Sequence, residues 1–376
     1  MRYLFILGRN VQLSIKELFC FLEREENPVL NFLESKNAVI VELEKSLPKD
    51  ILKNLGGVIA IGEILSSGSI KQIIDELEKK QVYLGTKNNF NYSVWDFSSE
   101  DSLTKISLYL KQRFRDEKLK ASEKKLSRAM VLQDGRVVNI PSSRLIDIEY
   151  FVFGDKDLYF GIVKEKCDYE DIEARDMNKP VRREQLSISP RIAKIMINLS
   201  GVREGGKLLD PFCGVGTILQ EALIQHIQVA GIDIDKEAIE GARPNLKHSK
   251  FSEKDYLLIL NDSRKASVGE YDVIVTEPDL GELLRDIPTK RKAEEIISKF
   301  ENLIISVINN LKKSVSGRIV FTAPLIKIGD RRISCSASNI SKRTNMKIVE
   351  GFPLPDYRKD QIVGRDIFVL ERIDKN

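Results

Sequence analysis

The segment from Lys207 to Asp235, KLLDPFCGVGTILQEALIQHIQVAGIDID, constrains the fold of this 376-residue chain more than any other stretch. A short apolar run ends at Asp210, a turn containing two glycines follows, and apolar residues then recur at helical spacing. A second apolar run, 229–232, ends at Asp233. This order predicts a strand, a turn, a helix and a second strand, which together form one βαβ unit of a parallel sheet. Because ligands of open α/β sheets bind at the carboxyl ends of the strands, we expect the functional site at this edge.

The turn contains Gly214 and Gly216, which lack a Cβ and so allow the backbone to turn sharply and approach a ligand closely. Asp233, at the tip of the next strand, is placed to accept hydrogen bonds from a ribose diol. A dinucleotide site requires G-x-G-x-x-G, and here Leu219 occupies the third glycine position. An acidic residue just before the glycines, Asp210, suits a ligand with a cationic amino-acid tail and no phosphate. The pattern therefore favours S-adenosylmethionine (SAM) over a dinucleotide.

The phrase DPFCGVGTILQEA resembles motif I of the SAM-dependent RNA methyltransferases that carry a THUMP domain, above all the tRNA guanine-N2 methyltransferases of archaea and eukaryotes. The resemblance implies a Rossmann-like class I methyltransferase fold with a seven-stranded sheet, with SAM as the cofactor and tRNA as the partner. In the family an acidic residue after the third strand binds the adenine amine, and Asp262 has that position here. The cofactor-binding residues implied in this way are Asp210, Phe212, Gly214, Gly216, Thr217, Asp233, Ile234, Asp262 and Ser263.

The catalytic strand is predicted at 271–276, and it delivers Glu277-Pro278-Asp279-Leu280 to the same edge. Amino-methyltransferases of this family usually carry Asp/Asn-Pro-Pro-aromatic there. A side-chain oxygen and a backbone carbonyl hold the hydrogens of the target amine, and the aromatic ring stacks on the flipped base. Here Asp279 replaces the second proline and Leu280 replaces the aromatic residue. Glu277, Pro278 and Asp279 remain the catalytic candidates, and two hypotheses follow: an active site of altered geometry, or a chain that has lost methyl transfer and retained SAM or RNA binding.

The N-terminal half is predicted to be an α+β region. Residues 1–65 alternate strand and helix signals, as in a ferredoxin-like half-domain, with Ser14 and Glu17 forming a capping box that opens a helix. Residues 66–165 are assigned to a THUMP-like RNA-binding module by the resemblance, to which ILGRN and LGGVIAIGEIL contribute. Residues 166–182 are polar and predict a linker, and 183–376 are assigned to the methyltransferase domain.

Basic residues are concentrated at 111–128, which hold eight basic and three acidic side chains. Such runs often form a solvated helix face, but the position of this one inside the proposed RNA-binding module favours phosphate contact. Arg365, in a late polar segment, is a further residue that can reach a substrate. The candidate RNA-binding residues are Arg113, Lys120, Lys124, Lys125, Arg128 and Arg285.

Composition excludes several classes of protein. No apolar run is long enough to cross a membrane, and the four cysteines lack C-x-x-C spacing, which argues against disulfides and structural zinc. The two histidines have no ligand-like neighbours, so no metal site is predicted. We expect a cytoplasmic monomer, with a small activator subunit left open because eukaryotic relatives need one and archaeal relatives act alone.

Together the patterns predict a SAM-dependent enzyme that methylates the exocyclic N2 amine of a guanosine in tRNA. The alternatives are a non-catalytic RNA-binding protein that retains SAM, and an amino-methyltransferase that acts on DNA.

Overall fold

A computed structural model describes the chain except for residues 99, 125–126, 142–144, 184–187, 283 and 374–376. The chain forms two compact units. The first contains Met1–Val11, Asn27–Lys53 and Val58–Cys167, and the second contains Gln12–Glu26, Asn54–Gly57 and Asp168–Asn376. Within the described residues, every helix is too short or too polar to cross a membrane.

The elements up to residue 167 are β1 (Arg2–Leu7), α1 (Val11–Arg24), β2 (Val29–Ser35), β3 (Ala38–Leu43), a 3-10 helix (Ile51–Asn54), β4 (Val58–Gly68), α2 (Ile70–Leu77), β5 (Asn89–Ser98), α3 (Glu100–Asp116), β6 (Lys120–Glu123), β7 (Ser127–Val131), β8 (Val137–Pro141), β9 (Ile148–Gly154) and β10 (Leu158–Lys166).

The elements that follow are α4 (Tyr169–Met177), α5 (Pro190–Ser200), β11 (Lys207–Asp210), α6 (Thr217–Ile224), β12 (Gln228–Asp233), α7 (Lys236–His248), β13 (Tyr256–Leu260), β14 (Val273–Thr276), α8 (Lys290–Leu311), a 3-10 helix (Lys312–Ser314), β15 (Ile319–Ile328), β16 (Arg331–Ile333), α9 (Ala337–Thr344), β17 (Met346–Ile348), β18 (Leu354–Asp356) and β19 (Val363–Arg372).

The first unit is built on one eight-stranded sheet in the order β2-β3-β1-β4-β10-β9-β5-β6, with β7 and β8 forming a separate hairpin. Helices α2 and α3 bury apolar side chains in one cluster with the aromatic residues of β5 and β9, where the ring of Phe114 meets those of Phe90 and Tyr92 edge-on. The predicted boundary at residue 65 is wrong, because β4 runs across it and pairs along its length with β10. Residues 1–65 and 66–165 therefore share a sheet.

The second unit contains the predicted seven-stranded sheet, in the order β13-β12-β11-β14-β15-β19-β17, with β16 and β18 attached as short additional strands. Strands β11 to β15 on this path are parallel, and β19 is antiparallel to β15. Alternate strand residues bury on opposite faces: Leu208 packs in the cluster with α5 and α6, whereas Leu209 packs in the cluster with α8. This two-sided burial confirms the Rossmann-like α/β fold.

Helix α1 differs from its prediction in its start and in its packing. It begins at Val11, so Ser14 lies inside the helix, where it is buried and does not act as the N-cap of a capping box. Glu17 is fully buried and its carboxylate accepts hydrogen bonds from the backbone N–H groups of Gly56 and Gly57, at 2.7 and 2.6 Å. The glutamate therefore binds a loop that follows 39 residues later in the chain.

The same carboxylate accepts a 2.8 Å hydrogen bond from the side-chain amide of Asn198 on α5. Arg24, near the end of α1, donates to Asn198 and to the carbonyl of Val202. Residues 12–26 and 54–57 thus belong to the second unit. The predicted methyltransferase domain, 183–376, did not include these two segments. The predicted linker, 166–182, also contains a helix, α4, which is capped by Asp168.

Candidate active site

A cavity of about 860 Å³ opens at the carboxyl edge of the parallel strands in the second unit. Its walls come from the tips of β11, β12 and β14, from the loop after β13, and from α8 and the start of β19. The structure brings together every predicted cofactor-binding and catalytic residue at this cavity except Gly216: Asp210, Phe212, Gly214, Thr217, Asp233, Ile234, Asp262, Ser263, Glu277, Pro278 and Asp279 line it.

The two glycines of the turn have different surroundings. Both have positive φ, +52° at Gly214 and +88° at Gly216, which is a conformation that L-residues with side chains adopt at a cost. A Cβ at Gly214 would meet open space, whereas a Cβ at Gly216 would lie 3.5 Å from the Cβ of Ala242 on α7. Gly216 therefore is the N-cap residue of α6 and packs against α7, and it does not line the cavity, so its predicted cofactor contact stays a prediction.

Asp210 is the buried carboxylate of the site, with 1% of its surface exposed. It accepts hydrogen bonds from the hydroxyl of Thr276 at 2.6 Å and from the N–H of Phe212 at 3.1 Å. Burial, and to a lesser extent the nearby carboxylates of Asp233 and Glu277, raise the pKa of Asp210 to about 7 against the two hydrogen bonds that lower it. Both hydrogen-bond donors are neutral, so a cation that entered the cavity would stabilise the ionised form.

Asp233 and Asp262 lie at the tips of the next two strands. The oxygens of Asp233 accept from the N–H groups of Gly214 and Asp235, each at 2.9 Å, and each oxygen retains a second lone pair for a hydroxyl group. Asp262 is held by the guanidinium of Arg264 at 2.7–3.1 Å, and these hydrogen bonds hold the pKa of Asp262 at about 2.

Ser263 has a structural contact as well as a place at the cavity. Its side chain is buried, and its hydroxyl donates a 2.6 Å hydrogen bond to the carbonyl of Pro211. This bond ties the loop after β13 to the glycine turn. The predicted cofactor contact of Ser263 stays a prediction.

Glu277 makes an ion pair that the sequence did not predict. The Nε and Nη2 atoms of Arg365, on β19, donate to its two carboxylate oxygens at 2.5 and 3.3 Å, and the hydroxyl of Thr322 donates to one of them at 3.3 Å. Burial alone lowers the pKa of Arg365, but the charge and hydrogen bonds of Glu277 outweigh it and raise that pKa overall. Arg365 was placed in a loop, whereas it lies in β19 beside the catalytic strand tip.

Sequence reasoning missed the apolar wall of the cavity. This wall faces the strand tips and includes aliphatic side chains from the loop after β14, from α8 and from the segment that leads into β19. The amphipathic pattern of α8 could have indicated two of these side chains, Leu303 and Val307. The wall consists of Leu280, Leu284, Leu303, Val307, Ile362 and Val363.

Arg183 was missed entirely. It lines the cavity and its Nη1 atom lies 2.6 Å from the carboxylate of Asp235, which caps α7. No pattern in the polar segment around it indicated this contact.

The candidate RNA-binding residues differ in their surroundings. Arg113 contacts Glu117 at 2.5 Å and donates to the carbonyls of Leu77, Glu78 and Lys80, so its guanidinium holds the C-terminal end of α2 and is not a free phosphate ligand. Lys120 and Arg285 are exposed and Lys124 is half-buried. Lys125 lies outside the described residues, and the structure describes only the backbone of Arg128.

Comparisons with known proteins agree with this arrangement. Residues 179–323 match the family described as UPF0020, the RMKL-like methyltransferase domain. This part of the chain is therefore similar to a methyltransferase domain. The match begins in the connection that follows α4 and ends in β15, so it includes the glycine turn, the acidic residues at the strand tips and the catalytic strand.

Two curated relatives are both described as tRNA (guanine(10)-N2)-dimethyltransferase. This chain is 38% identical over 139 residues to the one from Methanothermobacter thermautotrophicus, an alignment that covers 37% of this chain and 39% of that relative. It is 25% identical over 336 residues to the one from Methanocaldococcus jannaschii, covering 84% of this chain and 89% of the relative. These alignments agree with the resemblance that motif I indicated, and the match to a methyltransferase domain confirms SAM as the predicted cofactor.

One solved structure extends the likeness to both units. The crystal structure of TrmN from Thermus thermophilus aligns with a TM-score of 0.54 and 16% identity, over 99% of this chain and 100% of that chain. At this identity the comparison shows the fold alone.

Proposed function

We propose that this protein transfers a methyl group from SAM to the exocyclic N2 amine of a guanosine in tRNA. The observation that supports this most is the meeting, in one cavity, of the three strand-tip aspartates with Glu277 and Pro278. The names of the two curated relatives supply the substrate, tRNA, and the target amine.

The residues present fit SAM. The buried carboxylate of Asp210 would receive the cationic amino group, and Gly214 leaves room where a Cβ would otherwise stand. The free lone pairs of Asp233 suit the ribose hydroxyls, and Asp262 is placed for the adenine amine. Ile234, which is 68% exposed and lines the cavity, offers an apolar surface for the face of a base. The cofactor would supply a methyl group on a positively charged sulfur.

The catalytic strand would orient the amine. An amine conjugated to a purine ring is a poor nucleophile, so its two N–H groups must be held and its lone pair aimed at the methyl carbon. The carboxylate of Glu277 and the backbone carbonyl of Pro278 would accept these two hydrogens. On transfer of the methyl group the nitrogen would gain its bond to carbon as the bond from sulfur is lost, and it would then release a proton, which Glu277 or water would accept. The aliphatic wall around Leu280 would pack against the base in place of the usual aromatic ring.

The first unit is our candidate for the RNA-binding module, with residues 66–165 as its THUMP-like part. The excess of basic residues at 111–128 supports this proposal, and Lys120 on β6 is exposed for phosphate contact. A tRNA substrate in turn supports a cytoplasmic location. We also propose that the protein is a monomer. If the chain alone is inactive, a small activator subunit is the partner to test.

A specific observation favours the second candidate, a non-catalytic protein that retains SAM. Both oxygens of Glu277 are already held by Arg365, and Asp279-Leu280 replaces the Pro-aromatic pair of the family motif. Transfer of labelled methyl from SAM to an unmodified tRNA transcript separates the two candidates, with a DNA duplex of similar size as the third arm. Label in the tRNA supports the proposal, label in the DNA supports a DNA methyltransferase, and SAM binding without label in either supports the non-catalytic protein.

A further inference from the structure

We propose that Arg365 is the positioning residue of the methyltransferase site, which holds Glu277 at the reacting edge as one half of a neutral pair. The inference rests on the proposed function and names a residue that the family motif does not include.

The geometry of the pair fixes the side chain of Glu277. Two different nitrogens of the guanidinium bind its two oxygens, and such a fork sets both the position and the rotation of a carboxylate. Thr322, which is fully buried on β15, adds a third donor. The side chain of Glu277 is only 8% exposed, so little solvent competes for it. A glutamate is one methylene longer than the usual aspartate, and these three donors remove the extra freedom that the methylene brings.

The charge of the pair is as important as its geometry. The motif usually carries an aspartate or an asparagine, so an acceptor oxygen is needed there but a net charge is not. The carboxylate of Asp210, on the neighbouring strand β11, raises the cost of a second negative charge at this edge. Arg365 cancels the charge of Glu277 and leaves a lone pair on Oε2, since Oε1 already accepts from both Arg365 and Thr322. Asp356 on β18, which pairs in register with Arg365, is the other acidic group facing the guanidinium.

The pair therefore presents an oriented hydrogen-bond acceptor with almost no net charge, as an asparagine side chain does at the same position of the family motif. If this is its role, loss of the arginine should lower kcat, because the acceptor is misplaced and its charge is no longer balanced. The KM for SAM should change little, because the cofactor would be held by other side chains. A purely structural role of Arg365 would instead lower the stability and leave the kcat of the remaining folded protein unchanged.

The experiment measures kcat and the KM for SAM of the full chain and four variants, with SAM varied at a saturating concentration of tRNA transcript. We expect Arg365→Gln to lower kcat by about 100-fold, as a misplacement on the order of 1 Å can do, with a change below about threefold in the KM for SAM. Arg365→Lys should recover part of kcat, because lysine restores the charge and not the fork. The double variant Glu277→Gln/Arg365→Gln should exceed Arg365→Gln alone, since a neutral amide needs no countercharge. Arg372→Gln, on the same strand and away from the cavity, should keep the kcat of the unaltered chain.

An Arg365→Gln variant with unaltered kcat would overturn the proposal, and so would a double variant no more active than the single one. Thermal unfolding of the same variants distinguishes a failure of this positioning role from a failure of the proposed function. If the unaltered chain transfers no methyl to tRNA, the proposed function fails. The pair itself is then judged by whether Arg365→Gln lowers the Tm by more than Glu277→Gln/Arg365→Gln does, and equal shifts would reject it.

Discussion

The hydroxyl of Thr276 donates a 2.6 Å hydrogen bond to the carboxylate of Asp210, between two adjacent parallel strands. Thr276 is the residue immediately before Glu277, and both members of the bond are almost fully buried. The bond therefore links the strand that would hold the cofactor to the strand that would hold the amine. A change in the ionisation of Asp210 would therefore change the strength of a hydrogen bond made by the catalytic strand.

Replacing Thr276 with valine removes this donor while keeping a β-branched side chain of similar size. Because the hydrogen bond lowers the pKa of Asp210, its loss should raise that pKa further and reduce the ionised fraction at neutral pH. We expect SAM affinity at pH 7 to fall by about tenfold, which corresponds to about 1.4 kcal/mol and to one hydrogen bond to a charged group. Calorimetric titration with SAM measures this. Thr344→Val, another buried threonine that bonds a helix carbonyl, is the matched control, and an equal loss of affinity there would contradict the assignment.

SAM affinity should depend on pH through Asp210. The folded pKa of about 7 lies above the ordinary value of 3.8, so the unliganded protein loses stability from this group as the pH rises through 7. A cationic ligand needs the ionised form, so its affinity rises over the same range and levels off above about pH 8. At pH 6 roughly one tenth of the sites are ionised, and the dissociation constant should be about tenfold larger than at pH 8.

The increase in Tm caused by SAM measures this dependence. It should be larger at pH 8 than at pH 6 in the unaltered protein. Asp210→Asn should show a small increase that is the same at both values. A SAM-induced shift that does not change with pH in the unaltered protein would remove Asp210 from the cofactor site.

The two glycines of the turn should respond differently to alanine. Each substitution forces a side chain into a left-handed conformation, at a cost of about 1 kcal/mol in the free energy of unfolding. Only Gly214 lines the cavity, so Gly214→Ala should also weaken SAM binding by about tenfold or more. Gly216→Ala should bind SAM nearly as well as the unaltered chain once the loss of stability is allowed for. Equal losses of affinity in the two variants would contradict the separation of roles.

Glu17 should be important for the second unit although it lies in the first twentieth of the chain. Its carboxylate accepts from two backbone N–H groups and from Asn198, so Glu17→Ala leaves three buried donors without their acceptor. We expect a loss of about 3 kcal/mol in the free energy of unfolding, or more. Glu23→Ala, an exposed glutamate of the same helix, should cost less than about 0.5 kcal/mol. Denaturant unfolding of the full chain measures both, and equal losses would show that the buried contacts add no stability.

The sequence predicted the features that depend on local patterns. The strand, glycine turn and helix of motif I lie where the spacing of Asp210, Gly214 and Asp233 placed them, because βαβ units have a fixed order of apolar runs and turns. The carboxyl edge of the sheet then followed from the parallel pairing of those strands. The seven-stranded sheet was implied by the resemblance to the class I methyltransferases, and the structure supplies the order of its strands.

The sequence did not predict features that depend on distant contacts. Arg365 meets Glu277 across 88 residues, and nothing in the local pattern of either residue indicates the other. Glu17 had the spacing of a capping box, but its carboxylate is taken by a loop near residue 56 and the helix starts earlier. Pro244 lies inside α7, which continues to His248 because the proline removes only one backbone hydrogen bond and the buried face of the helix is kept.

The most direct test of the account is nucleoside analysis of an unmodified tRNA transcript after incubation with the protein and SAM, with Glu277→Ala run in parallel. The account predicts N2-methylated guanosine with the unaltered chain, and a fall of at least about 100-fold in its formation with the variant, which should still bind SAM. A methyl group on another atom, or equal formation of the product by Glu277→Ala, would contradict the assignment of Glu277 and Pro278 to the reacting amine.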